Sequence, residues 1–181
     1  LLIDFLFFFA SLECSTPSRR ESLQFMAKKI VEFSTEELKR LPLLALLDSS
    51  SLDQLISASR IQAYPKHHLV LVKGVINDWL GILIKGHLQV VDISVCGVEV
   101  GLNILVPGNF FGEITVIDRQ PRSASLVALT PCVVLQIPGD IARQLFFGYP
   151  PVAEAMQIHF VSVMRRMNEF RSLWRCCITP V

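Results

Sequence analysis

Between residues 61 and 137 the chain is a succession of short apolar runs rich in branched residues, each closed by a turn signal. The runs are 69–72, 80–84, 88–93, 97–102, 125–129 and 132–137. The stops are Lys73-Gly74, Lys85-Gly86, Cys96-Gly97, Pro107-Gly108-Asn109, Pro131 and Pro138-Gly139. Branched side chains fit a pleated, half-buried surface, and glycine and proline supply the turn dihedrals. No helical stretch alternates with the runs, so a parallel βαβ sheet with a dinucleotide site is not expected. A sandwich or small barrel is.

Helical patterning flanks this block. Residues 19–40 read as helix, with Ala27, Ile30, Val31 and Leu38 on a loose apolar face. Ser34 and Glu37 have the spacing of a capping box that starts a second helix. Pro42 precedes a short apolar turn, 43–47, and Leu52, Leu55 and Ile56 share one face of a helix over 51–59. After Pro138 the pattern is helical again, with a short piece over 140–147 and a long helix over 152–174. In the long helix Met156, Phe160, Val163, Met167, Phe170 and Trp174 recur at alternating spacings of four and three, the a/d pattern of a coiled-coil seam. One reading packs this stripe on the chain's own sheet; the other, favoured because the stripe runs on past any local partner, pairs two helices in a homodimer. The expected organisation is a helical appendage over 1–40, a β domain over 41–151, and a helix and tail over 152–181.

Composition excludes several classes. Lys and Arg number 17 against 16 Asp and Glu, so bulk charge gives no footprint for nucleic acid. The five cysteines, Cys14, Cys96, Cys132, Cys176 and Cys177, are odd in number and scattered. They fit reduced thiols in a cytoplasm better than a secreted disulfide framework. There is no Cys-x-x-Cys pair, and His67 and His68, adjacent on an expected strand, would point to opposite faces. No metal and no iron–sulfur centre is expected. Residues 1–10 are very apolar but too few to span a bilayer and are interrupted by Asp4. They are expected to dock as a helix on the body or a partner, with the stump of a membrane segment as the alternative.

The stretch that carries chemistry is 107–125. Gly112 can turn tightly and expose backbone N–H groups. Glu113 lies among apolar residues, where a carboxylate needs a partner. Nine residues on, Arg122 offers a planar fork suited to phosphate, with Ser123 beside it and Pro121 shaping the turn. A carboxylate for sugar hydroxyls and a guanidinium for phosphate describe a nucleotide pocket. Taken alone, the same residues also fit a buried ion pair in a turn.

The sequence Phe110-Phe-Gly-Glu-Ile-Thr-Val-Ile-Asp-Arg-Gln-Pro-Arg-Ser-Ala-Ser125 resembles the phosphate-binding cassette of cyclic-nucleotide-binding domains, the family of the bacterial catabolite activators, protein kinase A regulatory subunits and cyclic-nucleotide-gated channels. Residues 74–86, 41–47, 52–58 and 63–66 are similar to that family's strand–turn–strand, opening helical turns and strand entry. The resemblance implies a mainly β fold with flanking helices, a β-roll of jelly-roll type and a long C-terminal helix. It implies a ligand site of Gly112, Glu113, Ile114, Arg122, Ser123 and Ala124, with Glu113 on the ribose and Arg122 on the phosphate. Arg171 and Ser172 of the long helix are the candidates to meet the base. The implied ligand is 3′,5′-cyclic AMP, with cyclic GMP as second candidate and no cofactor. The implied activity is sensing, not catalysis, with occupancy transmitted through the long helix of a homodimer formed over 152–174. The alternatives are a ligand-free structural module of the same fold and a fragment of a cyclic di-GMP-responsive regulator. The bacterial activators follow this helix with a helix-turn-helix; residues 173–181 are too few for one, so DNA binding is not supported by this chain alone. A fused or separate effector is expected, and a cytoplasmic location, either free or as the cytosolic part of a membrane-associated protein.

Overall fold

The computed structural model describes residues 33–93 and 99–178, with the backbone alone at 93, 99, 100, 102 and 169–178. The expectations for 1–32, including the apolar start, most of the first helix and Cys14, lie outside the described residues, as does the Cys96-Gly97 turn.

Helix α1 (Thr35–Leu38) opens on the expected capping box: Glu37 N–H donates to Ser34 Oγ at 3.3 Å, and Ser34 N–H donates to the Glu37 carboxylate at 3.0 Å. A 3-10 turn (Leu44–Leu46) leads to α2 (Ser49–Ala58), capped by Asp48, which accepts from the Ser51 N–H at 3.1 Å. Eight strands follow in two antiparallel sheets. The first holds β1 (Arg60–Tyr64), β8 (Cys132–Pro138), β3 (Trp79–Lys85) and β6 (Phe110–Phe111), in that order. The second holds β2 (Leu69–Leu71), β7 (Ser125–Ala128), β4 (Leu88–Ile93) and β5 (Glu99–Leu105). Chain neighbours sit in opposite sheets at most steps, which is the β-roll expected from the resemblance. Helix α3 (Glu113–Asp118) lies between β6 and β7, and α4 (Gly139–Gly148) and α5 (Pro150–Ile178) follow β8.

Strand alternation divides the core in two. On β3, Leu80 and Ile82 face the helices, as do Leu135 and Ile137 on β8; with Leu52, Leu55, Ala142, Leu145, Val152 and Met156 they form one buried cluster. Leu83, Val134 and Cys132 face inward and pack with Val70, Leu88, Leu105, Phe111, Leu126 and Ala128 of both sheets. The first sheet is therefore covered on both sides, and β8 is buried from Cys132 to Ile137. Burial pushes the Cys132 thiol up to about 11, so it stays protonated.

The structure corrects three sequence expectations. Residues 60–64 and 110–111 are strands that the run pattern did not isolate. His67 and His68 sit in the β1–β2 turn rather than on a strand; His67 has a φ of 66° and its N–H donates to Ala128 O at 2.7 Å. The stripe on α5 divides. Met156 is buried and Phe160 packs against the helix-side core, so this half of the expected seam serves the chain's own domain. Met167 of the expected seam is exposed, and so, off the seam, are Ile158, Val161 and Met164. Phe170 and Trp174 lie on the part of α5 described by backbone alone. Among the described residues no helix is long and apolar enough to cross a membrane, and no His, Cys, Asp or Glu group is arranged to hold a metal ion.

Candidate functional site

The turn from β6 into α3 sets the site. Gly112 has a φ of 83°, a left-handed value that a side chain would strain. A Cβ there would run into the Arg122 guanidinium and come within 3.2 Å of Trp79 O. The absence of that carbon lets the arginine reach across the turn.

Arg122 is buried, at 3% exposure. Its backbone is clamped to the β2–β3 loop: Arg122 N–H donates to Val75 O at 3.0 Å, and Gly74 N–H donates to Arg122 O at 2.9 Å. Its side chain donates from Nη1 to Gly112 O at 2.8 Å and from Nη2 to Trp79 O at 2.7 Å. The guanidinium carbon lies 5.1 Å from the centre of the Trp79 ring, within cation–π range. Trp79 in turn meets Phe111 edge-on at 5.9 Å. Nε has no partner among the described residues, and no carboxylate among them lies within ion-pair distance of the group. A guanidinium has five N–H donors and a full charge. Here it is buried against neutral carbonyls and an aromatic face, with donor capacity unused. Burial works against its charge, while Glu113 and, less strongly, Asp78 support it from a distance.

Glu113 begins α3 directly after Gly112, so the two functional groups meet at one turn. Its side chain is 13% exposed. Burial raises its carboxyl above the usual range, the backbone N–H of its own residue opposes that rise, and the positive charge of Arg122 opposes it further. The other side of the carboxylate meets α5, where His159 Nε2 lies 4.0 Å from Oε1. The His159 ring packs on Phe110 with centres 4.5 Å apart and on Phe160 at 6.0 Å. Burial, and then Arg166, lower its basicity.

A second arginine braces the same loop from outside. Arg143 of α4 grips Asp78 through both oxygens, at 2.9 and 3.0 Å, and donates to Val116 O at 3.1 Å. The hydrogen bonds from Arg143 hold the Asp78 carboxyl below its ordinary range. Gly139 N–H donates to Asp78 O at 3.0 Å. The loop before β3, the cassette helix α3 and the start of α4 are thereby fixed to one another.

Of the residues expected from sequence, Gly112, Glu113 and Arg122 come together. Ser123 is exposed and Ala124 half-buried, both on the arm that leads into β7. Ile114 is 43% exposed on α3. Arg171 and Ser172 fall on α5 where its backbone alone is described. Sequence reasoning missed Trp79, Phe110 and His159. The signal for His159 was its place beside Phe160, a residue of the apolar stripe; no motif marks it as a metal ligand or as a partner for Glu113.

Residues 61–149 match the model of the cyclic nucleotide-binding domain. A 105-residue stretch is 28% identical to a CRP-like cAMP-activated global transcriptional regulator of Mycobacterium tuberculosis, covering 58% of this chain and 47% of the regulator. A 116-residue stretch is 29% identical to a cyclic nucleotide-gated potassium channel of Rhizobium etli, covering 64% of this chain and 31% of the channel. The chain thus spans less than half the length of either relative. The catabolite activator protein of Thermus thermophilus superposes with a TM-score of 0.64 at 25% identity, over 74% of this chain and 63% of that one. The regulatory domain of Toxoplasma gondii protein kinase A, solved with cAMP, shares the fold with a TM-score of 0.62 at 18% identity, over 74% of this chain and 52% of that one. By its roll, its cassette and this match, the segment 61–149 belongs to the cyclic nucleotide-binding domain family.

Proposed function

We propose that the chain is a sensor of a 3′,5′-cyclic nucleotide, cyclic AMP first and cyclic GMP second, and that it works by binding rather than catalysis. The observation that carries this reading is Arg122: a buried guanidinium with a free Nε and no carboxylate in contact among the described residues, bonded to the carbonyl of Gly112 next to the largely buried Glu113 carboxylate. An anionic phosphate supplies the charge that the protein withholds, and charge-assisted bonds to it are stronger than those to neutral carbonyls. Glu113 is the acceptor for a sugar hydroxyl. Both relatives are described by name as cyclic-nucleotide-responsive, which supports the ligand class. The cytoplasm, where such nucleotides are made, is the proposed location.

Output runs through α5 in this reading. Glu113 abuts α5 at His159, and α5 carries the exposed face of Ile158, Val161 and Met164 between Glu154 and Arg165. That face, within 152–174, is the proposed homodimer contact, and a fused or separate effector reads its position. Light scattering across a concentration series tests the dimer.

A ligand-free structural module is the second reading. It is favoured by the two carbonyls that Arg122 already engages. A thermal-shift and calorimetric panel of cyclic AMP, cyclic GMP and cyclic di-GMP separates the two. A ligand of the native state must raise the melting temperature. The sensor reading expects a saturable shift with a 3′,5′-cyclic mononucleotide; no shift with any of the three favours the structural module.

A further inference from the structure

Trp79 touches the candidate site twice, and only one of the two contacts needs its side chain. Its carbonyl accepts from Arg122 Nη2 at 2.7 Å, as the carbonyl of any residue at this position could. Its indole ring has the guanidinium carbon over it at 5.1 Å, which requires an aromatic face. Strand alternation puts the ring there. Leu80 and Ile82 face the helices, so Trp79, Gly81 and Leu83 face the interior of the roll, where Trp79 packs against the inner core. Gly81 opens room on that face, because a Cβ at this position would run into the Phe111 ring. Phe111 lies over the glycine and meets the indole edge-on with centres 5.9 Å apart, an arrangement that aromatic pairs prefer. The indole is therefore held by a buried phenyl ring and in turn carries the guanidinium.

We propose that Trp79 is a positioning residue of the phosphate site: its indole fixes the Arg122 guanidinium with Nε unengaged, ready for a phosphate oxygen of the nucleotide. The inference rests on the sensor reading of the same site. An arginine side chain has many rotamers, and ordering it only when the ligand arrives lowers affinity. Here the ordering is complete in the folded chain. Gly112 O and Trp79 O take one N–H each from Nη1 and Nη2, while Nε has no partner among the described residues. Two of five donors are used. A carboxylate in place of the indole would hold the guanidinium as firmly, but an incoming anion would have to displace it. An aromatic ring draws on the charge of the group, whereas a phosphate is taken through its N–H fork, so the two do not compete. The ring steadies the arginine without spending the capacity that the ligand needs.

The test is calorimetric titration of the full chain and two variants with cyclic AMP. Both variants keep the backbone carbonyl and change the ring alone. Trp79→Phe retains an aromatic face and should bind within about twofold of wild type, whereas Trp79→Leu removes that face and should bind about fivefold more weakly. A ring that only filled space would show no such order, because phenylalanine and leucine both leave part of the indole's volume empty. A second measurement leaves Trp79 in place and so does not depend on how the variants fold. The chain has two tryptophans, Trp79 and Trp174, so Trp174→Phe makes Trp79 the sole emitter. Cyclic AMP should change its fluorescence saturably, over the concentration range of the calorimetric titration, because the phosphate brings negative charge to the guanidinium over the indole. Wild-type affinity in a folded Trp79→Leu protein, equal losses in the two variants, or unaltered Trp79 emission at full occupancy overturns the positioning role while leaving the sensor reading intact. No binding of cyclic AMP or cyclic GMP by wild type overturns the sensor reading and the positioning role with it.

Discussion

Two arginines flank the segment Asp78-Trp79, and they are treated in opposite ways. Arg143, on the outer shoulder, meets the Asp78 carboxylate through two bonds and caps a free carbonyl of α3. Its charge is matched by the protein and open to water. Arg122, on the inner side, is buried against the carbonyls of Gly112 and Trp79 and the face of an indole, with no carboxylate in contact among the described residues. A buried cation without its counter-ion costs stability. A fold under no functional demand would pair it or replace it with an apolar group. The difference teaches where to look for a ligand: at the charge the protein leaves unmatched.

The largest effect expected from this contrast is on binding. Arg122→Ala should weaken cyclic AMP by at least tenfold, in keeping with about 1.5–3 kcal/mol for a charge-assisted donor, whereas Arg143→Ala should stay within about twofold, since surface ion pairs act weakly. Equal losses measured by calorimetry would break the comparison. Gly112→Ala comes next. A left-handed φ and a collision with the Arg122 guanidinium should cost about 1–3 kcal/mol of folding stability in urea titrations. They should also displace the arginine and lower affinity.

Glu113→Gln sharpens the contrast from the carboxylate's side. Because burial raises the Glu113 carboxyl, the folded state holds its proton to higher pH than the unfolded chain does. Stability from this group is thus present at low pH and is lost as pH rises from the unfolded value through the folded one. Removing the charge should raise the melting temperature at pH 7, flatten its decline across that window, and still weaken nucleotide binding. A lower melting temperature at pH 7 would mean that the carboxylate has a partner stronger than those described. The smallest effect is the melting temperature of Arg143→Ala, expected to fall modestly and to show less salt dependence than wild type.

The cassette was legible because its chemistry is local. Gly112, Glu113 and Arg122 sit within eleven consecutive residues, and the arginine bonds the carbonyl of the left-handed glycine across the one short helix between them. The roll was legible in kind from glycine-punctuated apolar runs. What sequence hid was long-range. β6 is two residues long and exists by pairing Phe110 and Phe111 with Ile82 and Gly81, a partnership that no local pattern announces. His67 and His68 read as strand because they adjoin a β-branched run, but the turn closes on Ala128, sixty-one residues after His67. The α5 stripe had the right period and a mixed purpose: Met156 and Phe160 fill the chain's own core, and the exposed face is offset from them. Periodicity shows that a face is apolar and is silent on what covers it. His159 reaches Glu113 across forty-six positions, so its place beside the carboxylate emerges only once α5 is folded onto α3.

The most direct measurement is a crystal structure of the chain grown with cyclic AMP. The account predicts the nucleotide inside the roll, a phosphate oxygen hydrogen-bonded to the Arg122 guanidinium, a ribose hydroxyl on Glu113, and Arg143 still on Asp78. A nucleotide bound elsewhere, or one inside the roll that leaves Arg122 on the two carbonyls alone, would contradict it.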